Sequence, residues 1–301
     1  MKYICAQPAT QYYGWQLDTM LHSFIAVGVN LEDVNVVCNI EKEIDPYFDR
    51  LMQKYPGVSF SFYEDTRDYR GYIPSIKQHL LHKHYQAFPE FENETIFLTD
   101  SDICLTKPIN FNGLLDDNIW YLSDTISYIG YDYLQSKGDD IINPMLEIAG
   151  ISKDLVKSMQ GASGGAQYLF KNVKTSYWEE VVDLSHDLFI KMQVISNEKQ
   201  QRDPDYFPLQ IWTCEMWALL WVAWKKGQMT AVSDKLKFSW ATDPRDFWYK
   251  NSIFHNAGVT ADMKEMFFKG EYIDKLPDMN LNVSNEKCSY MYYKLLQQAL
   301  V

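Results

Sequence analysis

The chain has 301 residues, of which 47% are hydrophobic, and its formal net charge is −12. This length and composition allow one large buried core, and they exclude a wholly disordered chain. The acidic balance excludes a broadly basic surface, so a polyanionic partner would have to be held by a local basic patch.

The first third of the chain alternates strand-like and helix-like segments. Strands are predicted at residues 3–6, 34–38, 58–63 and 95–99, and helices at residues 15–27, 45–54 and from Pro74 onward. This alternation predicts an α/β fold with a mixed, mainly parallel sheet flanked by helices. Beyond about residue 110 the pattern becomes irregular, with a strand at residues 167–170 and helices at residues 176–190 and 209–224.

The five cysteines are widely spaced and include no C-x-x-C pair. They are expected to be reduced thiols rather than a disulfide framework or a zinc site. The N-terminal apolar run is too short for a signal-peptide core, and residues 209–224 fall short of the roughly 20 residues that cross a bilayer. A cytoplasmic protein without a membrane span is therefore expected.

Two carboxylates, Asp100 and Asp102, follow the apolar strand predicted at residues 95–99. Open α/β sheets bind ligands at the carboxyl ends of their strands, and a period of two would turn both acids to one side. Such hard oxygen ligands suit Mn²⁺ or Mg²⁺ carrying phosphate oxygens. The alternative is a strand-ending turn with solvated acids. A second Asp-x-Asp, at Asp203 and Asp205, lies in a polar loop without a preceding strand.

Residues 72–108 carry a family resemblance. A helix begun by proline leads to Asp100, Ser101 and Asp102, and then to Lys107 and Pro108. This run resembles the donor half of GT-A glycosyltransferases, and most of all the plant hydroxyproline O-arabinosyltransferases, the peptidyl-serine galactosyltransferases and their tailed-phage relatives. The resemblance implies one GT-A domain over residues 1–301, with a nucleotide-sugar-binding half at 1–110 and an irregular acceptor-binding half at 111–301.

The resemblance also implies a UDP-sugar donor, a metal held by Asp100 and Asp102, and retention of anomeric configuration. His255, after a short apolar strand, would be a third metal ligand; the alternative is a structural histidine. Lys264 or Lys269 would neutralise the leaving diphosphate, or both are solvated surface lysines. Ser101, between the two acids, is a further donor-binding candidate.

The end of the first strand is where a GT-A fold would hold the nucleotide base. The candidates there are Gln7, Pro8, Thr10 and Tyr12, with Tyr13 and Trp15 as further aromatic rings that could stack on uracil. Lys77, on the helix before the aspartates, is another donor-site candidate. Asp65, after the third strand, is a further donor-site candidate, and Arg67 and Arg70 in the same loop could reach a diphosphate or a phosphodiester.

The second half of the chain offers candidates for the reacting sugar. Gly164 and Gly165 would let a sugar ring lie close to the backbone, with Gln167 near the reacting carbon; a plain tight turn explains the glycines equally well. Glu215 is a lone acid in an apolar helix, where an unpaired carboxylate would cost several kcal/mol. It either contacts the acceptor or sugar hydroxyls, or it forms a structural ion pair.

The predicted function is metal-dependent transfer of a sugar from a UDP-sugar to a hydroxyl acceptor. The phage relatives suggest arabinose as the sugar and a hydroxymethylated base in DNA as the acceptor, in the host cytoplasm. The hydroxyl of a surface polysaccharide, a glycolipid or a protein is the competing acceptor. A catalytically inactive nucleotide-sugar-binding module is the alternative of a different class.

Overall fold

The computed structural model describes residues 1–40 and 43–301. The chain divides into two compact units. The first unit comprises Met1–Glu64, Leu98–Asn112 and Asp234–Val301, and the second comprises Asp65–Phe97 and Gly113–Ser233. The predicted organisation, one domain with functional halves at 1–110 and 111–301, stays a prediction.

Ten strands lie within the described residues, and they form two sheets. They are β1 Lys2–Pro8, β2 Val34–Ile40, β3 Ser59–Glu64, β4 Thr95–Thr99, β5 Ile103–Leu105, β6 Trp120–Asp124, β7 Gly164–Lys171, β8 Thr230–Val232, β9 Phe238–Trp240 and β10 Ile253–His255. The larger sheet has the order β3-β2-β1-β4-β7-β6-β8, and the smaller one has the order β5-β10-β9. Strands β1, β2 and β3 pair in parallel, as do β6 and β8, whereas β6 and β7 are antiparallel.

Eleven α-helices lie in the same part of the chain. They are α1 Gln11–Ala26, α2 Pro46–Lys54, α3 Ile76–Ala87, α4 Ile126–Ile129, α5 Tyr131–Ser136, α6 Asp139–Ala149, α7 Lys153–Ser158, α8 Thr175–Arg202, α9 Cys214–Lys225, α10 Phe247–Lys250 and α11 Cys288–Ala299. In the first unit α1 packs against α2 and α11, and in the second α8 packs against α3, α6 and α9. The predicted fold, a mixed and mainly parallel sheet flanked by helices, is confirmed.

The first half of the secondary-structure prediction agrees best with the structure. Strand β4 has the predicted bounds, and β1 to β3 differ by only a few residues at their ends. The second half is more regular than predicted. Helices α4 to α7 were missed because they are short and are separated by breaks at Gly130, Gly138 and Gly150. Helix α8 continues to Arg202, and α9 begins at Cys214 rather than at residue 209.

A buried carboxylate fixes α1 within the first unit. Asp18 is 5% exposed and accepts hydrogen bonds from Tyr47 Oη at 3.0 Å and Tyr55 Oη at 2.6 Å. The Lys54 ammonium lies 3.0 Å from the same carboxylate. These partners come from α2 and the residue after it, so the carboxylate ties α2 to α1. A buried charge of this kind is stable only when it is fully partnered.

We predict that Asp18→Ala lowers the free energy of unfolding by about 3 kcal/mol, because it leaves two buried hydroxyls and an ammonium without their acceptor. Urea denaturation measures the change. Asp49→Ala, at an exposed position on α2, is the control and should change stability by about 0.5 kcal/mol or less. Equal stability of the two variants would contradict the assigned role of Asp18.

Candidate functional site

The two aspartates lie on a tight turn that joins the two sheets. Strand β4 ends at Thr99 and β5 begins at Ile103, so Asp100, Ser101 and Asp102 form the connection. Both acids were expected to face one way because residues alternate along a strand. That reason is wrong, since neither aspartate lies in a strand. Their carboxylates come together because the chain turns between them.

The small sheet brings His255 to this turn. Strand β10 pairs with β5 in a register that sets His255 opposite Ile103, the residue after Asp102. The Asn256 backbone N–H donates to the Asp102 carbonyl oxygen at 2.9 Å, which extends the pairing by one step. On the other side, the Trp240 ring lies parallel to the imidazole, with a centroid distance of 6.1 Å and an interplanar angle of 4°. His255 is thus placed by the pairing of β10 with β5, and the Trp240 ring lies beside it.

Asp100, Asp102 and His255 form a group that could hold a metal ion. One donor atom from each lies within 4.8 Å of the others, and this is the one such group of three in the described residues. His255 Nε2 lies 3.2 Å from Asp102 Oδ1. Adjacent ligands of an octahedral ion with bonds of about 2.1 Å lie about 3 Å apart, so this pair of atoms has the spacing of two neighbouring ligands. Two carboxylates with one imidazole suit Mn²⁺ well, whereas Mg²⁺ prefers oxygen alone.

Asp102 is buried and charged. It is 8% exposed, and Lys269 Nζ forms an ion pair with its Oδ2. Burial alone would raise the pKa of Asp102, but Lys269 and His255 hold this pKa well below its ordinary value. Burial lowers the pKa of Lys269, whereas Asp102 raises it, and the net pKa lies above the ordinary value. The interpretation of Asp102 as a solvated turn acid is therefore wrong, and so is that of Lys269 as a solvated surface lysine.

Two tyrosines on α1 lie within electrostatic range of this ion pair. Burial raises the pKa of Tyr13 to about 12, with further increases from Tyr12 and Asp102. Burial also raises the pKa of Tyr12, and the positive charge of Lys269 partly lowers it again. Trp15 differs from them, because it is fully buried and donates Nε1–H to the Tyr272 carbonyl at 3.3 Å. The prediction that Trp15 could stack on a base is wrong, since its ring belongs to the core.

The other predicted donor-site residues of the first unit follow β1 or lie on the aspartate turn. Gln7 is 3% exposed; its Oε1 accepts from Cys5 Sγ at 2.8 Å, and its buried Nε2 makes no hydrogen bond within the described residues. Pro8 is the last residue of β1, and Thr10 is exposed at the N-cap position of α1. Ser101 is 4% exposed. Donor contacts by these residues stay predictions.

Glu215 lies in the first turn of α9, in the second unit, and it is 7% exposed. Gln78 Nε2 donates to its Oε2 at 3.2 Å, and Lys77 Nζ lies 3.9 Å from its Oε1. Its backbone N–H donates to Tyr72 Oη at 2.9 Å, and burial and Glu215 raise the pKa of Tyr72. Lys77, predicted to bind the donor, therefore has a carboxylate partner in its own unit. The structural ion pair, one of the two interpretations of Glu215, is present.

The predicted glycine loop is part of strand β7. A Cβ added at Gly164 would lie 2.5 Å from Leu122 Cβ, and one at Gly165 would lie 2.2 Å from Met216 Cε. Close packing against protein atoms thus accounts for both glycines, and contact with a sugar ring stays a prediction. The neighbouring Ala166 has φ +67°, where the pairing with β6 is irregular.

Gln167, the predicted neighbour of the reacting carbon, is fully buried. Ser123 Oγ donates to its Oε1 at 2.8 Å. This hydrogen bond holds the Gln167 side chain in place, and its catalytic role stays a prediction.

Two arginines of the loop after β3, Arg67 and Arg70, were predicted to reach a diphosphate. Arg70 is 66% exposed and donates to the Asp65 carbonyl at 2.6 Å, so its contact with a diphosphate stays a prediction. Arg67 is held inside the unit. The Arg67 side chain is 2% exposed and forms a two-point contact with Asp65, with Nε and the Nη2 amino group 2.9 and 2.8 Å from the two carboxylate oxygens. Its Nη1 donates to the Tyr72 carbonyl at 2.8 Å and to Ser75 Oγ at 2.6 Å. All three guanidinium nitrogens are used inside the unit, so the prediction for Arg67 is wrong.

A polar cavity of about 330 Å³ lies beside this loop in the second unit. Its walls come from α3 and α8, and they include His79, His82 and His186. His79 Nε2 accepts the Thr66 backbone N–H at 3.2 Å, which requires a neutral ring nitrogen there. Burial lowers the pKa of His79 to about 4, against the opposing effect of Asp65.

Several residues that surround Glu215 and His255 were not predicted from the sequence. Gln78 and Tyr72 form hydrogen bonds with Glu215, and the Trp240 ring lies parallel to that of His255. Their positions in the sequence were the one signal that could have identified Gln78 and Tyr72. Gln78 follows the predicted Lys77, and Tyr72 precedes the proline that begins the helical segment. Nothing in the sequence pairs Trp240 with His255, since the contact arises from the register of β9 and β10.

No protein-family profile and no curated protein matches this chain. Solved structures do resemble it. The galactosyltransferase LgtC in complex with donor and acceptor sugar analogues has 13% identity and a TM-score of 0.49, covering 99% of this chain and 96% of LgtC. The apo bifunctional glycosyltransferase WbbM has 14% identity and a TM-score of 0.48, covering 98% of this chain and 51% of WbbM.

Mouse xyloside xylosyltransferase 1 in its apo form is similar at 10% identity with a TM-score of 0.44, covering 85% of this chain and 96% of that enzyme. This chain spans about half the length of WbbM. All five cysteines are buried free thiols, and no helix in the described residues is long and apolar enough to cross a membrane.

The neutral state of His79 leads to a pH prediction. Its folded pKa of about 4 lies below the value of about 6.5 expected in the unfolded chain. The unfolded state therefore binds more protons between these values, and stability falls as the pH drops from 6.5 towards 4. We expect the free energy of unfolding of His79→Gln to depend less steeply on pH over this range, by at most about 1.4 kcal/mol per pH unit. Identical slopes in urea denaturation at several pH values would contradict a neutral buried His79.

Proposed function

We propose that this protein is a metal-dependent glycosyltransferase that moves a sugar from a UDP-sugar to a hydroxyl acceptor. The observation that carries the proposal is the meeting of Asp100, Asp102 and His255 within 4.8 Å, on a turn that follows the carboxyl end of β4. Open α/β sheets bind their ligands at such an edge. The family resemblance of residues 72–108 supports the same activity and suggests retention of configuration.

The donor set favours an ion that carries a diphosphate. Asp100, Asp102 and His255 would hold Mn²⁺ or Mg²⁺ and leave further coordination positions for phosphate oxygens. When bound, the ion supplies positive charge to the leaving diphosphate. Lys269, already beside Asp102, adds a second positive charge at the same place. Tyr12, Gln7, Pro8, Thr10 and Ser101 complete the donor-binding residues that we propose in the first unit.

The second unit supplies the proposed catalytic residues. Glu215 would bind a hydroxyl of the acceptor or of the sugar, with Lys77 and Gln78 setting its position. Gln167 would contact the sugar near the reacting carbon, held by Ser123. Lys77, Gly164 and Gly165 are the residues of this unit that we propose for contact with the donor.

Two kinds of acceptor are considered, a modified base in DNA and the hydroxyl of a saccharide, glycolipid or protein. The resemblance to phage relatives supports arabinose and a hydroxymethylated base in DNA, with the enzyme in the host cytoplasm. Residues 65–97 and 113–233 contain 14 Lys and Arg against 21 Asp and Glu, which disfavours a polyanion and supports a saccharide, glycolipid or protein hydroxyl instead. Trp212, 56% exposed, lies beside Tyr128 with an interplanar angle of 29°. An exposed tryptophan ring of this kind suits the face of a sugar ring or of a base.

The first test measures nucleotide release from a panel of UDP-sugars, UDP-arabinose included, with Mn²⁺ and then with a chelator. We expect slow release that requires the metal, because transferases also pass the sugar to water. Asp100→Asn and Asp102→Asn should each reduce release by about 100-fold or more. Asparagine is chosen because it keeps the size of the side chain and a hydrogen-bond acceptor for Lys269.

The matched controls are Asp203→Asn and Asp205→Asn, which change an exposed Asp-x-Asp in a loop. Both should release nucleotide within about twofold of wild type. Nucleotide-sugar binding without release, or release that survives the chelator, would favour the inactive binding module or a metal-independent reaction and would end this proposal.

The second test concerns Glu215. In Glu215→Gln we expect metal-dependent nucleotide release within about twofold of wild type and transfer to acceptor reduced by about tenfold or more, because the carboxylate serves the acceptor. Product is measured by mass spectrometry with hydroxymethylated oligonucleotides, saccharides and peptides as acceptors. Glu180→Gln, which removes an exposed partner of Lys226, is the control. Wild-type transfer by the Glu215 variant would contradict its role.

A further inference from the structure

We propose that Lys269 acts as an internal cation that competes with the divalent ion for Asp102, so that the metal and the diphosphate bind as a pair. The inference rests on the proposed function and adds an order of binding to it. Lys269 would pair with Asp102 before the donor arrives and with the diphosphate afterwards.

The contacts of Asp102 show why a metal must compete. Both of its carboxylate oxygens already have partners, since Oδ1 faces His255 Nε2 at 3.2 Å and Oδ2 pairs with Lys269 Nζ. The carboxylate is buried, with a side-chain exposure of 10%. An ion that uses Oδ2 must therefore displace the ammonium of Lys269. His255 need not leave, because it can turn from a partner of Asp102 into a ligand beside it.

Lys269 is built so that its head can move while its backbone stays. It begins a 3-10 helix, Lys269–Tyr272, whose last residue is 3% exposed. The Tyr272 ring stacks on Phe267 with a centroid distance of 5.4 Å and an interplanar angle of 6°. The Tyr272 carbonyl also accepts the Trp15 indole N–H, which ties this segment to α1. Four methylene groups separate the fixed backbone from the ammonium, so the charge can change partner by side-chain rotation.

The energetics make the exchange depend on an anion. The side chain of Lys269 is 27% exposed, so an ammonium displaced from Asp102 loses its partner without gaining full solvation. Asp100 lies close enough to raise the pKa of Lys269, but in the proposed site this carboxylate also binds the metal. A diphosphate that arrives with the metal provides the new partner. Metal alone should bind weakly, and nucleotide should strengthen it.

The experiment measures Mn²⁺ affinity by isothermal titration calorimetry, with and without UDP, in wild type and in Lys269→Met. Without UDP, the variant should bind Mn²⁺ at least about tenfold more tightly than wild type, because the competing charge is gone. With UDP, wild type should gain markedly in Mn²⁺ affinity, and the variant should gain much less. The coupling between Mn²⁺ and UDP thus shrinks when Lys269 is removed.

Two further variants test whether the effect is specific to the charge of Lys269. Lys269→Gln keeps a hydrogen-bond donor for Asp102 and should show the same tightening, so the result does not depend on how well the methionine variant folds. Lys275→Met removes a nearby exposed lysine and should leave Mn²⁺ affinity within about twofold of wild type.

The failures are distinguishable. If wild type binds Mn²⁺ with UDP while both Lys269 variants bind Mn²⁺ alone no more tightly than wild type, the competition is refuted and the proposed function stands. If neither wild type nor variants bind Mn²⁺ with or without UDP, the metal site itself is refuted, and both proposals fall. Equal tightening by Lys275→Met would show a general charge effect and would also refute the specific role of Lys269.

Discussion

The charge on Asp102 is the constraint on which the candidate site depends. A carboxylate that is 8% exposed must have cationic or hydrogen-bonding partners, because leaving it unpaired would cost several kcal/mol. The partners come from far along the chain, His255 at the end of β10 and Lys269 at the start of a 3-10 helix. The small sheet β5-β10-β9 therefore contributes directly to the candidate site, since it carries His255, one of the two partners that make a charged residue tolerable at this turn.

Much of this arrangement could be predicted by residue type, and little of it by contact. The bounds of β4 and the chemistry of Asp100 and Asp102 followed from an apolar strand with acids after it. His255 was identified as a ligand candidate because it follows an apolar segment. Its proximity to Asp102 depends on the register of two strands of three residues each, and so short a pairing leaves no periodic pattern in the sequence.

The second unit shows the same limit in another form. A lone acid in an apolar helix was correctly recognised as needing a partner, but the partners of Glu215 lie on α3, and only the packing of α8 against α3 and α9 brings the groups together. The glycines of β7 were interpreted through what a ligand might need. Side chains of the same unit, Leu122 and Met216, already fill the space beside them. Composition cannot distinguish these two uses of a small residue.

The shortness of the aspartate turn limits how the site can vary. Three residues, Asp100, Ser101 and Asp102, connect β4 to β5, which belong to different sheets and are each held by their own pairing. One inserted residue would lengthen the path by about 3.5 Å, which exceeds a metal–oxygen bond and would carry one carboxylate out of reach of the other. Loop grafting or domain shuffling at this point would therefore abolish the ligand geometry, while exchange of a side chain alone would leave the backbone path unchanged.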